Sequence, residues 1–407
     1  MTQYWRISLF AMMLASAGLP IYIHLPRFAS VDLGINLATV GAIVLGIRIM
    51  DFVQDPIIGQ IIDKWRGPRD RLALIGMSIM ALGFVMLFSI TPPINAAVWM
   101  TVSLILVFTG YSFGSILMYG ESAALAGSGS ESAQLRLATF RETGLIIGVI
   151  FAAMGPVILA GGFASFGWVL CGLIAVTYLF TRSLWQSTTA PTQDFDITRL
   201  IGAGGVWLLV LAVVNSLPVA MTSTLFLFFV EDSLQLSDWS GPFLIFFFVA
   251  SGIAIPVWSK LAERFGARPV LLAAMCLSIS SFVWAAMIQP GNALGFGIIC
   301  FASGAAVGAE LVILPAVFAS LLSRAGVAPA QSFGLWSFAT KLSLPIAAAA
   351  TLPLLDQAGF VAGQVNSEAA LDRLTLLYAV VPCALKIIAC ITLLSLPKRI
   401  FAGAATT

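Results

Sequence analysis

Three ionisable side chains lie within one long apolar stretch of the sequence. Arg48, Asp51 and Asp55 are separated by three and four residues. Residues with these spacings share one face of an α-helix, so the sequence predicts a single charged stripe. A charged side chain at the centre of a membrane helix costs roughly 2.5–3.5 kcal/mol on insertion scales, so this stripe is expected to have a partner or a function.

One base and two acids leave one negative charge on the stripe. Hard cations prefer oxygen ligands, which two carboxylates provide to Na⁺ as they do to Ca²⁺. The sequence therefore predicts that Na⁺ or H⁺ binds at Asp51 and Asp55, with Arg48 as a coupling partner. A structural salt-bridge network between helices is the alternative interpretation.

Two more charged residues interrupt apolar runs near the end of the chain. Glu310 is predicted to face the interior, either as the partner of a lysine or as a contact for a solute. Lys386 is predicted to extend its ammonium group towards a membrane interface, with no functional role.

The elements that carry these residues are predicted from hydropathy. Of the 407 residues, 60% are hydrophobic and only 9% are charged, which is too few charged groups to coat a soluble protein of this size. A membrane helix needs about 20 apolar residues. The sequence contains twelve such spans: 7–27, 36–62, 72–90, 97–121, 141–160, 164–183, 201–230, 241–259, 269–288, 293–319, 332–354 and 374–396.

The distribution of basic residues predicts the orientation of these spans. With the amino terminus inside, fifteen of the twenty Lys and Arg residues lie on the cytoplasmic side, two lie outside and three lie within spans. Such a bias is typical of inner-membrane proteins. Both termini are therefore predicted to be cytoplasmic. The five cysteines lie in apolar runs without metal-ligand spacing and are predicted to be buried thiols.

A charged loop occurs twice, about 200 residues apart, after the second span of each half. Residues 59–69 and 263–268 both combine an acid, a base, a glycine and a further base. This spacing predicts two parallel six-helix halves, residues 1–185 and 199–407, joined by a cytoplasmic linker at 186–198. The loop resembles the signature of the major facilitator superfamily, although its first copy has one extra residue. The residues predicted to form a conformational gate are Asp63, Lys64, Glu263 and Arg264.

Residues 48–56 resemble the helix-2 signature of the glycoside–pentoside–hexuronide:cation symporters, the melibiose-permease branch of that superfamily. The resemblance implies that Asp51 and Asp55 serve the coupling cation, with Gln54 in the place of a polar amide between them. Residues 338–342 resemble the family's helix-11 motif. Its lysine, here Lys341, is expected to face the central cavity near the cation and solute sites.

The sequence departs from the melibiose branch where that branch places acids that bind sugar hydroxyls. Ala15 occupies one such place, and the other falls near Ile116. Glu121 lies about a turn further on and is predicted to replace the second acid in part. Less specific similarities surround Arg141 and Glu310. Other polar residues predicted to contact a solute, for which helix packing is an equal alternative, are Tyr22, Tyr111, Tyr119, Asn215, Thr222, Trp336 and Thr340.

These features predict an all-α polytopic membrane protein with twelve transmembrane helices in two pseudo-symmetric bundles of six. Its expected function is cation-coupled symport of a small solute, a sugar or glycoside by resemblance, through alternating access. The alternative is a transporter or exporter of an amphipathic lipid or drug-like solute. No motif of an enzyme occurs, and no cofactor beyond the coupling Na⁺ or H⁺ is expected. The expected partners are the solute and the bilayer, not nucleic acid, and a monomer is expected.

Overall fold

The structure is a computed structural model that describes residues 4–159, 162–186 and 195–401. These residues form helices joined by short turns and contain no β-strand. An α-helix satisfies its backbone hydrogen bonds internally, which is what a membrane-spanning segment requires. The expected all-α class is therefore confirmed.

Twelve long helical segments follow one another along the described chain. They are α1 Tyr4–Arg27, α2 Leu37–Lys64, α3 Arg69–Ser89, α4 Ala96–Gly120, α5 Glu131–Ile158, α6 Gly162–Gln186, α7 Gly205–Ser233, α8 Ser237–Phe265, α9 Ala267–Ala285, α10 Ala293–Ala325, α11 Pro329–Gln357 and α12 Glu368–Ser395. Within the described residues, nine are long and apolar enough to cross a membrane. The remaining three are α1, α2 and α5, so twelve spans are consistent with the structure.

Polar residues mark where several helices begin. Asn36 caps α2 by accepting a hydrogen bond from the backbone N–H of Thr39, and Asn95 caps α4 in the same way. These side chains satisfy amide groups that a first helical turn leaves without a partner. Helix α5 differs from prediction, since it begins at Glu131 and not near residue 141.

The described chain divides into two compact units. Unit 1 comprises residues 1–197 and 322–338, and unit 2 comprises residues 198–321 and 339–407. The boundary at 197/198 falls at the end of the predicted linker, most of which lies outside the described residues. Residues 322–338, called the 322–338 segment below, include the first turns of α11 and belong to unit 1.

Within unit 1, α1 and α5 approach each other at backbone distance. A Cβ atom added to Gly144 would lie 2.2 Å from the carbonyl oxygen of Ser8, and one added to Gly148 would lie 2.2 Å from that of Met12. The Ser8 hydroxyl also donates to the carbonyl of Phe140 at 2.7 Å. Two glycines four residues apart allow this close packing of membrane helices. In unit 2, α7 packs on α12 and on the second half of α11.

Candidate functional site

The two acids of the charged stripe on α2 are buried and hydrogen-bonded in unit 1, whereas Arg48 is half-buried. The side chains of Asp51 and Asp55 are 1% and 0% exposed. The Gln54 amide donates to Asp51 Oδ1 at 2.7 Å, while the Thr109 hydroxyl of α4 donates to Gln54 Oε1 at 3.0 Å. The structure thus places two carboxylates one helical turn apart, with an amide between them.

The second carboxylate is joined to the 322–338 segment. The Ser337 hydroxyl donates to Asp55 Oδ2 at 2.6 Å. Tyr111 of α4 lies within electrostatic range of Asp55, Arg48 and Asp51. Neither Thr109 nor Ser337 was predicted as a site residue, because their positions depend on packing and not on spacing within α2.

A second polar cluster in unit 1 contains Arg141, Glu142 and Tyr119. Arg141 Nε donates to Glu142 Oε1 at 2.8 Å, and the Tyr119 hydroxyl lies 3.4 Å from the same oxygen. The guanidinium carbon of Arg141 lies 4.0 Å from the centre of the Tyr119 ring, which fixes the plane of the guanidinium group. Arg141 and Glu142 are each 3% exposed. Tyr111 is also within electrostatic range of Glu142, so the two clusters are neighbours.

The predicted gate acid, Asp63, binds the beginning of α11. Its two carboxylate oxygens accept the backbone N–H groups of Ala330 at 3.2 Å and Gln331 at 2.6 Å. These amides belong to the first turn of a helix, where N–H groups lack helical partners and a negative charge is favourable. Gly59 lies one turn before Asp63 and allows the backbone of Ala330 to come close. A Cβ atom added to Gly59 would lie only 2.6 Å from the carbonyl oxygen of Ala330. Lys64 is exposed and makes no comparable contact in the described chain.

Beside Asp63 lies a buried ion pair. Arg69 Nε and Glu121 Oε1 are 2.8 Å apart, and Arg69 also donates to the carbonyl oxygens of Ile62 and Trp65. Glu121, predicted as a partial substitute for a sugar-binding acid, therefore neutralises Arg69, the last base of the charged loop. Arg69 thus joins the end of α2, through Ile62 and Trp65, to Glu121 at the end of α4.

We predict that the stability of unit 1 depends on the protonation of Asp63, which lies outside the predicted span. Burial raises the pKa of Asp63 from 3.8 to about 6, although the two amide hydrogen bonds and Arg69 oppose this shift. The folded state therefore binds the Asp63 proton more tightly than the unfolded state does. The stabilisation of the folded state by protonated Asp63 is fully present below about pH 4 and is lost as pH rises through about 6. Melting temperatures between pH 4.5 and 7.5 should fall more steeply for wild type than for Asp63→Asn. A constant difference between the two proteins would contradict this prediction.

Unit 2 contains a buried triad formed by Asn215, Glu310 and Lys386. Lys386 Nζ lies 2.6 Å from Glu310 Oε1 and also donates to Asn215 Oδ1 at 2.9 Å and to the Asn215 carbonyl at 3.3 Å. The Asn215 amide donates to Glu310 Oε2 at 2.8 Å. The ammonium group therefore has one acceptor for each of its three protons. The prediction that Lys386 reaches an interface was wrong, because it is 1% exposed and paired with Glu310.

The other predicted site residues lie in several environments. Trp336 is buried and its ring lies 6.5 Å from that of Phe333, while Thr340 and Lys341 follow it by one turn on α11 and are half-buried. Glu263 and Arg264 are exposed at the end of α8. The Tyr22 side chain lies outside the part of α1 that the structure describes.

No described group of three or more His, Cys, Asp and Glu side chains is able to hold a metal ion. A cation on the α2 stripe would therefore be bound by two carboxylates together with amide, hydroxyl or carbonyl oxygens. All five cysteines are free thiols, but only Cys300 and Cys383 are buried. The prediction that all five are buried was wrong, because Cys276 lies on an outward face of its helix and is exposed.

The twelve long helical segments of the described residues are consistent with a polytopic membrane protein. The bacterial homologue of the iron transporter ferroportin, in its outward-facing state, is similar over 97% of this chain and 99% of its own, with a TM-score of 0.75 and 14% identity. The E. coli fucose:proton symporter is similar over 96% of this chain and 98% of its own, with a TM-score of 0.67 and 14% identity. No curated protein matches the sequence.

The sequence profile of the MFS/sugar transport protein family matches residues 7–397. The chain belongs to this family, and its predicted membership of the major facilitator superfamily is confirmed. Members of this family are transporters and not enzymes.

Proposed function

We propose that the protein is a cation-coupled symporter that carries a small polar solute by alternating access. The observation that carries this proposal is the burial of Asp51 and Asp55 one turn apart on α2. Buried acids in membrane helices are rare and mark ion or proton pathways. We further propose a sugar or glycoside as solute, in keeping with the family and with the fucose:proton symporter. The protein would act as a monomer in an inner membrane, with Na⁺ or H⁺ as its only cofactor.

The hydrogen bond from Ser337 to Asp55 suggests how cation binding is coupled to movement. A Na⁺ ion or a proton at Asp55 would compete with the Ser337 hydroxyl for the same carboxylate oxygen. Ser337 belongs to the segment whose first amides are bound by Asp63. Binding of a cation at Asp55 would thus change the number of hydrogen bonds that hold the 322–338 segment in unit 1.

The cluster of Tyr119, Arg141 and Glu142 is the proposed solute site, and Tyr111 links it to the cation site. Aromatic rings and fixed hydrogen-bond donors are the groups that orient a polar solute in a cavity. Trp336, which belongs to the 322–338 segment of the same unit, is proposed to complete the site.

The proposal predicts a specific response of protein stability to the coupling ion. A ligand that binds only the folded state at 100 times its dissociation constant stabilises that state by about 2.7 kcal/mol. Na⁺ should therefore raise the melting temperature of the purified protein relative to choline at equal ionic strength, or a pH decrease should do so if the ion is H⁺. Asp51→Asn and Asp55→Asn should each abolish the response.

Asp356→Asn is the matched control, because Asp356 is exposed at the end of α11 and lies far along the chain from the α2 stripe. Its response to Na⁺ and pH should equal that of wild type. If Asp51→Asn, Asp55→Asn and wild type respond alike, the two buried acids are structural and cation coupling at α2 is refuted.

A further inference from the structure

Three sulfur-containing side chains of unit 2 lie close together where α9 packs on α12. The Cys390 thiol donates to the thioether sulfur of Met275 at 3.7 Å. Cys276, the next residue along α9, has its thiol within electrostatic range of Cys390. Helices α9 and α12 are in contact within this unit. These three residues, called the sulfur cluster below, take no part in the proposed cation and solute sites.

The distance between the first two sulfur atoms suits a shared metal ion. A metal bound by cysteine lies about 2.3 Å from the sulfur atom, so two sulfur ligands at a tetrahedral or trigonal angle lie roughly 3.8–4.0 Å apart. The separation of 3.7 Å between Cys390 Sγ and Met275 Sδ is close to that value. Met275 is buried, so packing holds its thioether in this position. The two side chains therefore require little movement to bind one ion.

The ligand types and the surrounding charges favour a soft monovalent cation. Thiolate and thioether sulfur atoms prefer Cu(I), whereas hard cations prefer oxygen. One thiolate neutralises the single charge of Cu(I), so the complex adds no net charge to an apolar region. Lys386 and Glu310 are the charged groups within electrostatic range of Cys390, and they are paired with each other. Zn²⁺ suits the cluster less well, because its structural sites have four ligands.

The two thiols lie at a similar depth in the predicted spans. Cys276 follows the start of the span 269–288 by about two turns, and Cys390 precedes the end of the span 374–396 by a similar distance. Residues 269 and 396 are both predicted to be cytoplasmic ends. The cytoplasm keeps thiols reduced, which is the form that binds metal. Because Cys276 is exposed, an ion is able to reach the cluster from the surface of unit 2.

We infer that Met275, Cys276 and Cys390 form a binding site for one Cu(I) ion between α9 and α12. Only two of these residues are among His, Cys, Asp and Glu, and the third ligand is a thioether. On binding, the Cys390 thiol loses its proton to solvent and its sulfur bonds to Cu(I), while Met275 and Cys276 each supply a sulfur lone pair. The ion would join two helices and so stabilise the folded state. This inference does not rest on the proposed symport.

Competition for Cu(I) tests the inference on the full-length purified protein. The protein is kept reduced in the absence of oxygen and titrated with Cu(I) that is buffered by the coloured chelator bicinchoninate. One equivalent of Cu(I) should pass from the chelator to the protein, and the melting temperature should rise. Zn²⁺ at the same concentration should give a smaller rise. Failure of the protein to withdraw Cu(I), or an equal rise with Zn²⁺, would overturn the inference.

Variants of the cluster identify the ligands. Met275→Leu, Cys276→Ser and Cys390→Ser should each lower the affinity for Cu(I) roughly tenfold or more, at least as much as the loss of a residue that only supports a ligand. Cys383→Ser is the matched control. Cys383 lies two turns before Cys390 on α12, but its thiol donates to the carbonyl oxygen of Ile279 at 3.6 Å. Equal losses in the control, or unchanged affinity in the three cluster variants, would contradict the site.

X-ray absorption at the copper edge decides the matter on wild-type protein, whether or not a variant folds. The Cu(I) complex should show three sulfur neighbours at about 2.3 Å. Met275→Leu conserves side-chain volume and should fold, so its complex should show one sulfur neighbour fewer. Nitrogen or oxygen neighbours in place of sulfur would refute binding at the sulfur cluster.

Discussion

Replacement of Lys386 by methionine should destabilise the protein by about 3–5 kcal/mol, because it leaves Glu310 buried without its counter-charge. Lys386 and Glu310 are 1% and 6% exposed, so water cannot solvate a remaining carboxylate. Asn215 would retain its hydrogen bond to Glu310 Oε2, but an amide does not neutralise a charge. The change should appear as a large decrease in the melting temperature of the purified protein.

The double variant Lys386→Met/Glu310→Met distinguishes a structural ion pair from a functional one. A buried pair is often replaced by apolar residues of similar volume at little cost, so the double variant should recover most of the stability that the single variant loses. Glu310 was also predicted to contact the solute. If the double variant folds but no longer binds or transports solute, Glu310 has that second role. A double variant less stable than Lys386→Met would contradict the ion-pair explanation.

Replacement of Gly148 by valine should prevent normal packing of α1 on α5. Even the Cβ atom would lie 2.2 Å from the Met12 carbonyl oxygen and 2.8 Å from the Ala15 Cβ atom. Because backbone atoms cannot rotate away as a flexible side chain does, the helices would have to separate. We expect a loss of about 3 kcal/mol or more, at the upper end of the range for overpacked cores. Gel filtration of detergent-solubilised protein should show aggregation or loss of the folded species.

The same substitution at Gly172 provides the control. A Cβ atom added to Gly172 in α6 would meet no atom within 4 Å. Gly172→Val should therefore remain within about 0.5 kcal/mol of wild type, since valine is no worse than glycine in a helix. If both variants are equally stable, close contact between α1 and α5 does not limit stability.

The positions of the helices along the sequence were largely predictable from hydropathy, because each bilayer-spanning segment must be predominantly apolar. The start of α5 was not predictable in this way. Residues 131–140 continue the helix beyond the predicted span and include polar residues such as Gln134, which donates to the carbonyl of Ser128. Hydropathy reports the apolar part of a helix, and it does not report a polar continuation whose side chains, such as Gln134, are buried against the protein.

The candidate site was predictable only as far as one helix determines it. Spacing alone placed Arg48, Asp51 and Asp55 on one face of α2. Ser337 lies 282 residues from Asp55 in the sequence, and Lys386 lies 76 residues from Glu310, so only the folded chain reveals these partners. The wrong prediction for Lys386 has the same origin. The local sequence around a lysine in an apolar run is the same whether its side chain reaches a membrane interface or pairs with a distant acid.

Unit 1 is made of two parts of the chain that are far apart in sequence, and this affects when the unit can be completed during synthesis. The two parts of unit 1 are separated by residues 198–321 of unit 2. At roughly 5–20 residues per second, translation of the intervening residues takes on the order of ten seconds. Throughout that interval the carboxylate of Asp63 lacks the Ala330 and Gln331 amides that it binds in the finished structure. Completion of the amino-terminal unit is therefore a late step of biosynthesis, which follows insertion of most of the carboxy-terminal half.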